Sequence, residues 1–306
     1  MNKLMLAFFI FFFSVVYCNA DFVKVFAEND IVADTDRDYT HGTRVTYGCE
    51  YTNSLFFLPG DTKTLEWSLT QLMYTPLDKE TVELQEDDRP YAGYIGVGVN
   101  VVSLYNYKTQ FESGFAVGMT GPYAFAKETQ TQIHEWSGSV IPMGWDNQID
   151  TELILNAHYG VNYKLVYGKY FDVISRSEVA LGNMLTYIDT GLMFRLGYNL
   201  ERNFGINRIE PSIRDRETKR ILDKIYFYTY AYPQGRYVAR NIFLDGNTFS
   251  DSHSVGKEPL VGDFSWGAAV GYGLWEMAYS YVYRSKEFKS QEEHNEFVSL
   301  SISVMF

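Results

Sequence analysis

Three features of this 306-residue sequence predict an all-β fold, a twelve-stranded antiparallel transmembrane β-barrel of the outer-membrane type. The first is the N-terminal stretch Met1 to Ala20, with one early charge at Lys3, an apolar run from Leu4 to Val16, and small residues Cys18 and Ala20 around Asn19. It reads as a secretory signal peptide cleaved before Asp21, and its apolar core is too short for a comfortable membrane span. The second is the C-terminal segment, where Val298, Leu300, Ile302, Val304 and Phe306 alternate with Ser299, Ser301, Ser303 and Met305. A period of two that stops on a terminal aromatic is the pattern of a last barrel strand. The third is composition. A mean hydropathy of −0.20 beside 25 Tyr, 22 Phe and 24 Gly suits strands with one lipid face and one lumen face, aromatic girdles, and glycines where strands bend.

In order, the strands are expected at 22 to 30, 39 to 51, 62 to 75, 91 to 104, 107 to 119, 152 to 166, 174 to 184, 189 to 200, 223 to 240, 255 to 271, 274 to 286 and 296 to 306. The fourth shows the alternation plainly, with Ile95, Val97, Val99 and Val101 against Tyr94, Gly96, Gly98 and Asn100. The fifth sets Phe111, Phe115, Val117 and Met119 against Glu112, Gly114, Ala116 and Gly118. The stretch from Asn203 to Lys224 carries the weakest pattern. With no internal repeat or linker, residues 21–306 are expected to form one barrel domain after the signal peptide at 1–20.

The formal charge of −12 becomes −13 once Lys3 leaves with the signal peptide. Nucleic acid is therefore an unexpected partner. Cleavage would also remove Cys18 and leave Cys49 alone, so cysteine metal sites are not expected in the mature chain. An acidic protein at an anionic lipopolysaccharide surface needs divalent cations or local basic patches to approach the headgroups.

An even barrel with both termini in the periplasm puts the connections after strands one, three and five on the outer side. These are Ile31 to Asp38, Pro76 to Pro90 and Gly121 to Thr151, and the polar clusters of the chain lie in or beside them. Asn29 and Asp30 end strand one, a pair that also serves as a turn signal. Thr40 and His41 begin strand two, where His41, next to Gly42, reads as structural. Asp34, Asp36 and Asp38 have the first spacings of a calcium loop, but Tyr39 stands where its glycine belongs and Val45 where its bidentate glutamate belongs. They are expected to be a solvated acidic loop. In the third connection Gln130 and His134 lie four residues apart, so even one helical turn projects an amide and an imidazole from the same face. His158 is expected in the lumen, and His253 and His294 in loops.

Taken together, five groups resemble the lipid A 3′-O-deacylase family over the mature chain: Glu28-Asn29-Asp30; Asp38 to Gly42; Met73 to Pro76; Asp88 to Gly93; and Gln130 with His134 followed by Gly144 to Gln148. The resemblance implies a twelve-stranded barrel of the Gram-negative outer membrane whose site faces the outer leaflet. It further implies calcium-dependent hydrolysis of the ester holding the 3′ acyloxyacyl chain of lipid A, with Asn29, Asp30, Thr40, Gln130 and His134 as the matching active-site residues. Two positions depart from the family pattern. Val140 stands where some members have a glutamate six residues after the histidine, and Lys79 matches their second-loop lysine only loosely.

The chemistry of these residues is self-consistent. His134 suits a general base on water, with Gln130 or Thr40 holding the water or the imidazole. Asp30 and the side-chain oxygen of Asn29 suit a hard cation such as Ca2+, which would stabilise the developing oxyanion. Thr40 as a covalent nucleophile is the competing mechanism. An outer-membrane phospholipase and a passive porin or structural barrel are the alternative functions.

Overall fold

The computed structural model describes residues 21–30, 38–51, 58–60, 62–200, 204–206, 208–209 and 225–306. The predicted signal peptide, Asp34 and Asp36 of the acidic loop, and most of the weakly patterned stretch from Asn203 to Lys224 lie outside these residues.

Twelve strands form a closed antiparallel barrel in which each pairs with its sequence neighbours and the last with the first. They are β1 (Phe22–Asn29), β2 (Asp38–Tyr51), β3 (Thr62–Thr75), β4 (Ala92–Asn106), β5 (Thr109–Thr120), β6 (Leu153–Val166), β7 (Phe171–Gly182), β8 (Leu185–Tyr198), β9 (Tyr226–Asn241), β10 (Leu260–Tyr272), β11 (Trp275–Arg284) and β12 (Asn295–Met305). Every one of the expected strands is present. β10 starts five residues later than its alternation suggests, because residues 256–258 bond instead to the β11–β12 connection. Glu258 N–H donates to the Glu287 carbonyl at 2.7 Å and Lys289 N–H to the Gly256 carbonyl at 2.8 Å.

Alternation assigns the two faces. Val25, Val45, Leu69, Val97, Val117 and Leu155 pair across six consecutive strands. Four of these, Val25, Val45, Leu69 and Leu155, are exposed, as expected of a wall built to meet lipid. The residues between them point inward and are buried even when charged, among them Lys24, Arg44, Glu66 and Glu112. Burying charge is costly unless it is paired. Arg195 accordingly meets Asp172 at 2.5 Å and Arg284 meets Asp263 at 2.9 Å. His158, as its strand position suggests, is buried beside lumen-facing Asn100, with Nε2 and Oδ1 3.1 Å apart.

Part of the connection between β8 and β9 is packed inside. Leu200, Phe204, Ile206 and Ile209 are buried. The Leu200 carbonyl accepts from Lys164 at 3.1 Å, and the Phe204 and Ile206 carbonyls accept from Arg176 at 2.5 and 3.0 Å. Farther up, the Ile209 N–H donates to Glu28 Oε1 at 2.6 Å. A segment that leaves the periplasmic end of the wall thus reaches the residue next to Asn29.

Candidate active site

The register of the sheet brings the first group of predicted residues together. Asn29 pairs with His41, His41 with Met73, and Met73 with Gly93. Each lies four positions from the exposed row described above, so this rim row also faces outward. A bulge falls between Tyr39 and His41 and leaves Thr40 as the extra residue. It changes the phase of β2, so that Tyr39 points into the lumen, where its hydroxyl donates to Glu28 at 2.8 Å, while His41 faces out. Thr40 lies 2.6 Å from the Thr75 hydroxyl, oxygen to oxygen, and its carbonyl accepts from Asn29 Nδ2 at 3.1 Å. Asp30, next along the chain, is fully buried.

The second group sits on helix α1 (Ala126–Ser137), whose Ala-Lys-Glu-Thr-Gln opening favours helix. Gly138, at φ 73°, ends it by donating its N–H to the His134 carbonyl. Ala126, Gln130 and His134 recur every four residues and are its buried face. The helix is laid against the outside of the wall. Gln71 of β3 donates to the Ala124 carbonyl at 2.8 Å. At Gly93 a Cβ would come within 2.5 Å of the Ala126 methyl, so this approach requires glycine. Met73, Tyr91, Ala126 and Trp145 form one apolar cluster there. Met73 is therefore the shared neighbour of the two groups, paired with His41 on one side and packed beneath α1 on the other.

His134 and Gln130 are each held by one defined partner. Nδ1 of His134 meets the Val140 carbonyl. A carbonyl only accepts, so Nδ1 carries the proton and neutral imidazole presents Nε2 as its basic nitrogen. Val140, at the position where some members of the resembled family have a glutamate, thus orients the ring through its backbone carbonyl. Gln130 Oε1 accepts from Trp145 Nε1 at 2.7 Å, with both side chains buried.

The surrounding connections are stitched to this helix. Met143 N–H donates to the Lys79 carbonyl at 2.8 Å, Asn147 to the Val82 carbonyl at 2.7 Å, and Ile149 N–H to the Tyr91 carbonyl at 3.0 Å. Lys79 itself is buried. Burial pushes the Tyr91 phenol up to about 12. Glu152 closes the far side of the connection. Burial works against its charge, but the Asn183 amide at 2.7 Å, the Thr248 N–H at 2.6 Å and Asn247 at 3.2 Å outweigh that and hold the carboxyl below its usual range.

One expectation is corrected. Asp38 is not part of a solvated loop: it is buried, 3.4 Å from Arg89, and accepts from Gln291 at 3.0 Å. The arginine that comes with it, 4.5 Å from the Tyr74 ring centre, explains the burial. Sequence reasoning missed Trp145, Thr75, Tyr91 and the Val140 carbonyl as parts of the site. The Gly144 to Gln148 motif contained the first of these without revealing its partner.

Among the described residues, no three of His, Cys, Asp and Glu cluster as a metal cage. A cation at Asp30 would, among the described residues, rest on that carboxylate and neutral oxygens. The Asn29 amino group donates to the Thr40 carbonyl, so the end of the amide that would serve a cation is its oxygen. This donor set fits calcium, which accepts carboxylate, amide, backbone and water oxygens in flexible geometry.

Residues 4–306 match the family model described as outer membrane protein LpxR. Among solved structures, LpxR from Salmonella typhimurium is similar in fold, with a TM-score of 0.79 and 21% identity over 93% of this chain and 100% of that one. The translocator domain of the autotransporter NalP from Neisseria meningitidis gives a TM-score of 0.45 and 9% identity over 95% of this chain and 90% of that one. No curated protein matches. A family match over nearly the whole length, on a closed twelve-stranded barrel, makes this chain a member of the LpxR family of outer-membrane lipid A 3′-O-deacylases.

Proposed function

We propose that the chain removes the 3′-linked acyloxyacyl group of lipid A by attack of water, with His134 as general base and Asp30 and Asn29 holding calcium. The observation that carries this reading is the placement of His134. It lies on the buried face of a helix clamped to the lipid-facing side of the wall, with Nδ1 tied to Val140. A base in that position reaches a lipid ester from the membrane side without drawing the lipid into the barrel.

Nε2 takes a proton from water as the water oxygen bonds to the ester carbonyl carbon. The tetrahedral adduct then expels the sugar 3′ oxygen, which recovers the proton from the imidazolium. The products are a fatty acid and a free 3′ hydroxyl. Calcium, when bound, supplies positive charge for the carbonyl oxygen as it becomes an oxyanion. Thr40 is a poorer nucleophile in this arrangement, because its hydroxyl is engaged with Thr75 rather than aimed at an imidazole. The packed β8–β9 segment in the lumen argues against a passive porin.

The test is mass spectrometry of lipid A from cells with and without the gene, with glycerophospholipids measured in the same extracts. Loss of one acyloxyacyl mass from lipid A alone is expected. Lysophospholipid without any change in lipid A would replace the proposal with a phospholipase.

A further inference from the structure

We infer that Gln130 acts through its amino group as a hydrogen-bond donor to the reacting ester oxygen, and that Trp145 is the positioning residue that makes it a donor. The inference deepens the deacylase reading and rests on it.

A carboxamide can present either an acceptor or a donor toward a site, and which one it presents depends on what holds the other end. Here the choice is fixed. An indole N–H only donates, so its 2.7 Å bond to Gln130 defines that end of the amide as the oxygen. The amino group is turned away from Trp145. Among the described residues Gln130 Nε2 has no hydrogen-bond partner, and the residue as a whole is only 3% exposed. Leaving a buried donor unmet is costly, so a site that keeps one has a use for it.

The chemistry of the reaction narrows that use. A donor bonded to the attacking water would withdraw electron density from its oxygen, and a donor to His134 Nε2 would occupy the base. The carbonyl oxygen of the ester is the remaining acceptor, and it gains negative charge as water adds. Gln130 lies one helical turn from His134 on the same buried face, the relation needed to serve the electrophile while the imidazole serves the nucleophile.

Trp145 is itself immobilised. It is fully buried, with its ring centre 5.0 Å from that of Tyr91. Such packing keeps the indole N–H pointed at Gln130 before substrate arrives, which is what preorganisation of a donor requires.

The experiment is a double-mutant cycle on purified protein, with acyl release from lipid A normalised to the folded fraction seen as heat-shifted gel mobility. Gln130→Glu keeps an acceptor for Trp145 and deletes the donor. It should lower kcat about a hundredfold with little change in KM. Trp145→Phe should lower kcat roughly tenfold by freeing the amide to turn. Together they should do no more than Gln130→Glu alone, because Trp145 acts only through the amino group. Gln130→Met and Trp145→Leu replace either variant that fails to fold. Losses that multiply in the double variant, or full kcat in Gln130→Glu, overturn the assignment while the deacylase reading stands. A folded wild-type barrel that releases no acyl chain overturns both.

Discussion

His134 donates a hydrogen bond through Nδ1–H to the backbone carbonyl of Val140, six residues on and just past the glycine that ends the helix. The acceptor belongs to the main chain, and the Val140 side chain is 54% exposed.

Val140→Ala should therefore retain activity within about twofold, as surface changes generally do. His134→Ala should lose about a hundredfold or more, the usual cost of a missing general base. Both are read as fatty acid released from lipid A at equal folded fraction. A large loss in Val140→Ala would mean that the side chain, not the carbonyl, orients the ring.

Removal of calcium by a chelator should abolish turnover, and calcium should restore it better than magnesium, which demands stricter octahedral geometry. Asp30→Ala should raise the calcium concentration needed for half-maximal rate or end turnover altogether. Isothermal titration of calcium into wild type and variant checks the ion without relying on activity. Undiminished hydrolysis after exhaustive chelation removes the metal from the mechanism.

Thr40→Ala should reduce activity without eliminating an acyl-enzyme, because the proposed attack by water forms none. Thr75→Val, which removes the 2.6 Å partner of the Thr40 hydroxyl, should impair the reaction in the same direction. Intact-protein mass spectrometry during turnover decides the matter: an acyl mass on Thr40 would establish it as the nucleophile.

Glu152 links pH to the stability of the outer connections. Its folded carboxyl titrates below the ordinary value of about 4.3, so it contributes stability above that pH and loses it as pH falls toward the folded value. Glu152→Gln should unfold at a lower temperature than wild type at neutral pH. The gap should narrow on acidification below about pH 4. Heat-dependent gel mobility at several pH values measures it, and a gap that widens in acid contradicts the sign.

The barrel itself was legible because a period of two survives any tertiary context that buries one face and exposes the other. Alternation places the third strand at 62 to 75, and β3 spans Thr62–Thr75. Gln130 and His134 were legible as one face because helical spacing is local. The sequence does not reveal Trp145 as the partner of Gln130, since the end of α1 and then an irregular stretch separate them and no periodicity encodes their meeting. The bulge at Thr40 was hidden for a related reason: one extra residue in a strand leaves the sequence looking alternate on both sides. Nor did the weak pattern after Asn203 announce that Phe204, Ile206 and Ile209 are inside. They join apolar clusters within the lumen, Phe204 and Ile206 with Ile174, Met193 and Tyr228, and Ile209 with Phe26 and Tyr39, and no local pattern encodes those long-range contacts.

The placement of α1 on the convex side of the wall has a kinetic consequence. An enzyme whose site opens onto the bilayer meets its substrate in two dimensions, so the relevant concentration is the mole fraction of lipid A in the surface, not moles per litre of suspension. Diluting a mixed micelle with buffer should leave the rate per enzyme unchanged, whereas diluting its lipid A with inert detergent should lower it.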